Sequence, residues 1–156
     1  MATGRSNKLV GQTGKVYSFE PLAEYNKILK QNLEVNNIQN CEIINYGLSN
    51  LEQELSIYVN DSSATIHAVN DNFERIEKIR LITLDKFVYD NNIKKIDFIK
   101  IDVDGHEPAV LEGACKVIKN LKPIVLLEIS HLHYLKYGIT VWDFYSMLKK
   151  KGLYIY

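Results

Sequence analysis

An apolar run that ends in carboxylates sets the strongest constraint on this chain. From Lys95 to Val103 the residues Ile96, Phe98, Ile99, Ile101 and Val103 supply a buried strand, and Asp102 and Asp104 arrive where it runs out. Side chains alternate along a strand, so the two carboxylates are expected on one face. Gly105 supplies the turn, and Pro108 to Leu121 has the spacing of an amphipathic helix. In open α/β sheets, ligands bind at such corners, outside the carboxyl end of a strand. Taken alone, the run is equally well explained as an acidic turn that caps a helix, because Asp and Gly are common turn residues.

A second corner of the same kind favours the ligand reading. Lys15-Val16-Tyr17-Ser18-Phe19-Glu20-Pro21 is a short apolar strand closed by an acid and a proline. Pro21 suits the first turn of the helix that follows, where its missing N–H would have had no partner. An acid at the tip of such a strand accepts hydrogen bonds from the ribose of a bound nucleotide; the plain alternative is a helix-capping Glu facing solvent. Pro123 opens a third run, Ile124-Val125-Leu126-Leu127, which ends at Glu128. Fully apolar runs of this length are typical of parallel strands covered on both faces. The expected fold class is therefore α/β, a mostly parallel sheet with helices on both faces, in which the strands near 15–20, 41–48, 96–103 and 124–128 are neighbours.

With 156 residues, 46% of them hydrophobic, the chain is large enough for one domain with a continuous core. Lys plus Arg and Asp plus Glu are equal at 19, so no global field draws nucleic acid or an anionic membrane. Lys149-Lys150-Lys151 falls at an expected helix end, where cations offset the macrodipole. Cys41 and Cys115 form no metal or redox spacing and read as buried reduced thiols, Cys115 on the apolar face of its helix; a single long-range bridge stays open. No stretch approaches the roughly 20 apolar residues of a membrane span, and Met1 to Ser6 lacks the apolar core of a signal peptide. A cytoplasmic location is the default expectation.

Between these corners, Leu22, Tyr25, Ile28, Leu29 and Leu33 recur at helical spacing until Asn36-Asn37, and Cys41 to Leu48 reads as a strand. Leu51 to Asn60 alternates around Leu55, Ile57 and Val59 and predicts an antiparallel excursion. Residues 60–75 read as a loop, Ile79 to Leu84 as a strand and Asp85 to Asn91 as a short helix. Thr140 is a suitable N-cap for a last helix with Val141, Trp142, Tyr145 and Leu148 on one face. Gly152 stops that helix, and Leu153 to Tyr156 begins a further strand.

The stretch from Gly14 to Tyr156 resembles the FkbM family of S-adenosylmethionine-dependent methyltransferases. The resemblance is carried by Gly14-Lys15-Val16-Tyr17-Ser18-Phe19-Glu20-Pro21, Thr83-Leu84-Asp85, Ile99 to Glu107, Val110-Leu111-Glu112-Gly113-Ala114 and Val125-Leu126-Leu127-Glu128-Ile129, in the family's order. It implies a Rossmann-like class I methyltransferase sheet. Two departures accompany it. The family usually has Glu where Asp104 stands, and its members carry an earlier strand and Gly-rich turn that hold the methionine part of the cofactor. Only about a dozen residues precede the Glu20 strand, and Gly4, Gly11 and Gly14 have no strand before them to form that turn in its usual context. The resemblance thus divides the chain into a residual N-terminal segment, 1–14, and a partial methyltransferase domain, 15–156, shortened at both ends. A chain so shortened is expected to bind S-adenosylmethionine weakly or not at all and to self-associate through unpaired strand edges.

By the same resemblance, Glu20 holds the ribose hydroxyls of S-adenosylmethionine, Phe19 and Pro21 shape the adjacent wall, and Gly47 and Leu48 lie near the adenine. Asp102 contacts the cofactor, while Asp104 and His106 are the candidates for the catalytic base that a hydroxyl nucleophile requires. The acceptor is a small molecule or a glycan hydroxyl. Glu107 has a sufficient structural role at a helix start. His131 and His133, with Asp102 and Glu128, are an outside candidate for a divalent metal, although surface histidines after a strand explain them more simply and no metal is assigned. Tyr134, Tyr137, Trp142 and Tyr145 are either an acceptor pocket or, more simply, core. Two other functions stay open: a nucleotide-dependent oxidoreductase, which the missing G-x-G-x-x-G disfavours, and a non-catalytic shortened Rossmann-like domain.

Overall fold

The computed structural model describes residues 10–11, 13–59, 64–65, 75–129, 138 and 140–153. Two compact units make up the chain: Met1–Gly47 with Gln53–Leu81, and Leu48–Glu52 with Ile82–Tyr156.

In the first unit, strand β1 (Val16–Phe19) runs parallel to β2 (Cys41–Ile44), with Val16 opposite Cys41 and Phe19 opposite Ile44. Parallel strands require a crossover, and helix α1 (Ala23–Val35) supplies it. Pro21 lies just before the N-cap Leu22 rather than inside the first turn. The far end of α1 closes as the spacing predicts: Asn37 takes the left-handed conformation at φ 53°, and the Ile38 N–H reaches back to the Leu33 carbonyl at 2.9 Å. Asn tolerates that conformation because its short side chain bonds locally, and the pattern satisfies carbonyls the helix would otherwise leave open.

The predicted antiparallel excursion is present. Strand β4 (Gln53–Val59) pairs with the later β6 (Arg75–Ile82), Gln53 opposite Leu81 and Val59 opposite Arg75. With β3 (Gly47–Leu48) and β5 (Ala64–Thr65) the order is β3-β6-β4-β5. The inward residues Ile57, Val59, Ile79 and Leu81 form one buried cluster with Leu22, and Tyr25 and Leu55 pack against it. Each such side chain, fully buried, contributes about 1.5–3 kcal/mol. The cluster joins the sheet to the first turn of α1 and so anchors the segment that carries Glu20.

In the second unit, β7 (Phe98–Ile101) runs parallel to β8 (Ile124–Leu127), Phe98 opposite Ile124 and Ile101 opposite Leu127. Ahead of them lies α2 (Leu84–Asp90), N-capped by Thr83, whose hydroxyl accepts from the Lys86 N–H at 3.1 Å. Between the strands are α3 (Glu107–Glu112) and α4 (Cys115–Leu121), and α5 (Val141–Lys150) follows β8. Thr140 and Asp143 form a reciprocal capping box at the start of α5, Lys149 and Lys150 occupy its last turn, and Gly152 stops it at φ 75°.

Several expectations need correction. The expected Cys41–Leu48 strand divides at Asn45-Tyr46: its first part pairs with β1 and its second joins the antiparallel sheet. Among the described residues the four apolar strands are seen as two parallel pairs, β1–β2 in the first unit and β7–β8 in the second. The helix expected from Pro108 to Leu121 breaks at Gly113-Ala114. Here the chain passes the Ser49 carbonyl so closely that a Cβ on Gly113 would lie 2.0 Å from its oxygen. Beyond the break Cys115 is exposed, not buried, and Cys41 is half-buried; neither is in a disulfide. In α5 the buried residues are Phe144 and Leu148, whereas Trp142 (77% exposed) and Tyr145 stand outside the core, edge to face. The strand expected from Leu153, and His131, His133, Tyr134 and Tyr137, lie outside the described residues apart from Leu153 itself, which is in no strand.

Candidate functional site

Glu20 stands one residue past the carboxyl end of β1, the position expected for it. Its N–H continues the ladder to the Ile44 carbonyl at 3.0 Å. Its Oε1 accepts the Leu22 N–H at 3.0 Å, which uses one of the donors that a helix start leaves open. Among the described residues its second oxygen makes no hydrogen bond. Burial raises the carboxyl pKa above its ordinary value, with the Leu22 N–H opposing that shift. Beneath it, Asn26, 7% exposed, donates to the Glu20 carbonyl at 2.8 Å and meets the Asn45 amide at 2.6 Å. Asn26 falls in the apolar stripe of α1, four residues after Leu22, and a polar residue in that stripe was the signal for it.

Phe19 and Pro21 flank Glu20, both half-buried. The structure brings Gly47 to the same place: a Cβ there would lie 3.6 Å from Pro21 Cγ and 2.5 Å from Leu81 Cδ2. Gly47 is thus fixed by close packing rather than by an unusual backbone angle. Leu48, the next residue, belongs to the second unit and is half-buried.

The second acidic corner differs from its expected geometry. Strand β7 ends at Ile101, so Asp102 and Asp104 do not alternate along it. Asp104 sits in a left-handed turn at φ 49° and Gly105 follows at φ 98°. The residue that holds this turn is Glu107, only 1% exposed, whose Oε1 accepts the N–H groups of Val103 at 3.2 Å and Gly105 at 3.3 Å. Its position at a helix start hinted at a dipole role; its burial was not legible. Asp104 itself is exposed. Asp102 pairs with Lys100, which lowers its pKa, and it shares a hydrogen bond with Glu128, whose pKa is raised by that contact and by the Asp102 charge. No group of three or more metal-ligating side chains occurs among the described residues.

His106 is the N-cap of α3, and its Nε2 lies 3.0 Å from the hydroxyl of Ser49, a residue only 1% exposed. Asp85, part of the Thr83-Leu84-Asp85 motif, caps α4: its carboxylate accepts from Lys116 N at 3.0 Å and Val117 N at 2.8 Å, while its own N–H donates to the Gly113 carbonyl at 2.9 Å. That motif positions the break before Cys115.

No helix among the described residues is long and apolar enough to cross a membrane. No curated protein sequence matches this one. A solved structure does: the methyltransferase FkbM of Methylobacillus flagellatus KT, with a TM-score of 0.57 and 17% identity, covering 95% of this chain and 33% of that one. The chain therefore spans about a third of that protein's length, and the likeness shows a shared fold. The sequence profile of the methyltransferase FkbM domain matches residues 2–150. The chain belongs to the FkbM methyltransferase domain family.

Proposed function

We propose that this chain is an S-adenosylmethionine-dependent methyltransferase domain acting on a hydroxyl of a small molecule or a glycan. Glu20 carries the reading. It closes a parallel β-α-β unit at the carboxyl end of its first strand, with one oxygen anchored to the Leu22 N–H and the other making no hydrogen bond among the described residues. A half-desolvated carboxylate of this kind fits the diol of a ribose, to which it offers two acceptors. The cofactor, when bound, supplies a methyl group on a sulfonium.

The remaining roles belong to this chain's own side chains. Phe19, Pro21 and Gly47 wall the Glu20 position, Leu48 lies toward the adenine, and Asp102 contacts the cofactor. Asp104 and His106 are the groups offered for taking the proton of the acceptor hydroxyl, a task worth about 10²–10⁴-fold in rate. Calorimetry with S-adenosylhomocysteine tests the reading. Glu20→Ala is expected to weaken binding by about 1.5–3 kcal/mol, the worth of hydrogen bonds to a charged group, and unchanged affinity removes Glu20 from the site. Asp104→Asn is expected to lower turnover more than cofactor affinity; an equal loss in both reassigns it to cofactor binding.

A further inference from the structure

The turn after β7 holds the one Asp-Gly pair in the sequence, Asp104-Gly105. Such a pair is chemically labile: the main-chain nitrogen after an aspartate can attack the side-chain carboxyl carbon and close a five-membered ring, and glycine puts no side chain in the way. Asp104 is exposed, so water reaches its carboxyl group, whereas Gly105 is buried. The two residues take φ 49° and 98°, and the His106 N–H closes the turn around them on the Val103 carbonyl at 3.1 Å. Positive φ at both central positions is the pattern of a type I′ turn, which Asp-Gly suits. Glu107, 1% exposed, accepts the Val103 N–H at 3.2 Å and the Gly105 N–H at 3.3 Å, and so ties the main chain before and after Asp104 to one oxygen. The held Gly105 N–H belongs to the attacking nitrogen. A carboxylate is far too weak a base to remove an amide proton, so the contact keeps that proton on nitrogen, and ring closure has to break it.

We propose that Asp104-Gly105 is a site of isoaspartate formation and that Glu107 keeps it closed while the turn is intact. The step needs no oxidant and no co-reactant except water. A bond forms between Gly105 N and Asp104 Cγ, and the nitrogen's proton leaves with the carboxyl hydroxyl as one water. One water then returns. Its addition at Cγ restores the aspartate. Its addition at the main-chain carbonyl breaks the bond between Asp104 C and Gly105 N, after which the chain runs through Cβ and Cγ. Conversion thus inserts a methylene into the main chain and leaves the free carboxylate on Cα, away from its original place. The loss of Asp104 as a catalytic base would follow, a consequence that rests on the role proposed for it above; the conversion itself does not.

Incubation of the full 156-residue chain in water enriched in oxygen-18, followed by peptide mass spectrometry, tests this. Each ring that closes and reopens leaves one heavy oxygen on the peptide spanning Asp104-Gly105, and fragmentation distinguishes the isoaspartyl chain. The folded parent is expected to take up label far more slowly than the same chain in urea. Glu107→Ala is expected to take it up about 10–100-fold faster than the parent, the factor that one hydrogen bond to a charged acceptor represents. Glu107→Gln keeps an acceptor oxygen and is expected to stay near the parent, while Asp104→Glu, whose ring would have six members, is expected to take up none at this pair. Gly113→Ala separates local from global opening, because it crowds the Ser49 carbonyl and leaves the hydrogen bonds of the turn in place; it is expected to stay near the parent. Amide exchange at Gly105 in the parent needs no variant, and slow exchange is expected. Free exchange there, uptake by the parent at its urea rate, uptake by Glu107→Ala no faster than by the parent, or an equal rise in Gly113→Ala would overturn the proposal.

Discussion

Replacing Glu107 by Ala is expected to destabilise the protein by about 2–4 kcal/mol, although this residue touches no ligand in the proposed reaction. The carboxylate accepts two N–H groups, at 3.2 and 3.3 Å, from Val103 and Gly105. Hydrogen bonds to a charged acceptor are worth about 1.5–3 kcal/mol each, and these sit at the long end of the N–H···O range, so the pair is placed near about 3 kcal/mol. Loss of buried methylene adds about 0.8 kcal/mol per CH₂, while relief from burying a charge offsets part of the sum. Glu107→Gln keeps an acceptor oxygen for both donors and is expected to cost only about 1 kcal/mol. Equilibrium urea denaturation followed by circular dichroism measures both, and amide exchange at Val103 and Gly105 is expected to quicken in the Ala variant alone. A Glu107→Ala protein within 0.5 kcal/mol of the parent, the ordinary range for surface changes, would refute the claim that this carboxylate holds the turn.

Three further outcomes can be checked in the same way. Gly113→Ala places a Cβ 2.0 Å from the Ser49 carbonyl oxygen, a main-chain atom that cannot step aside cheaply, so a loss of about 3 kcal/mol is expected in chemical denaturation. Asp85→Ala removes the cap of α4, and a loss of about 0.5–2 kcal/mol is expected in the same assay, with α4 amides exchanging faster. The half-buried Glu20 carboxyl has its pKa raised above 4.5, so folding takes up a proton on it between 4.5 and the raised value. By linkage, that contribution makes stability fall as pH rises through this window. Glu20→Gln removes it, and a denaturation series from pH 4 to 7 is expected to show a variant that gains on the parent as pH rises; a loss relative to the parent would reverse the sign.

The strands and helix ends were legible wherever a local pattern decides the structure. Alternation at Leu55, Ile57 and Val59 gave an antiparallel strand because those side chains face one cluster. Asn36-Asn37-Ile38 closes α1, and Asn91-Asn92-Ile93 closes α2 by the same bonds, the Ile93 N–H reaching Val88 O at 3.0 Å. Features set by distant chain segments were not legible. The break at Gly113 depends on the approach of Ser49, more than sixty residues away in sequence, and helical periodicity continues straight through it. The misplacement of Cys115 follows from that break. Glu107 shows the same limit, since a charged residue at a helix start is ordinarily exposed, and here the turn through Asp104-Gly105 aims main-chain donors at it. Of the site, Glu20 was readable from its strand and proline, whereas Asn26 and Ser49 gained their roles from tertiary contacts.

Whether Glu20 holds the cofactor's ribose is decided by titrating S-adenosylhomocysteine into the nitrogen-15-labelled chain and following its amide resonances, a measurement that also registers weak binding. Shifts are expected at Phe19, Glu20, Gly47 and Leu48, all lost in Glu20→Ala, whose spectrum otherwise retains the pattern of the folded chain. Shifts that survive this substitution unchanged, or that gather elsewhere and leave these residues untouched, would contradict it.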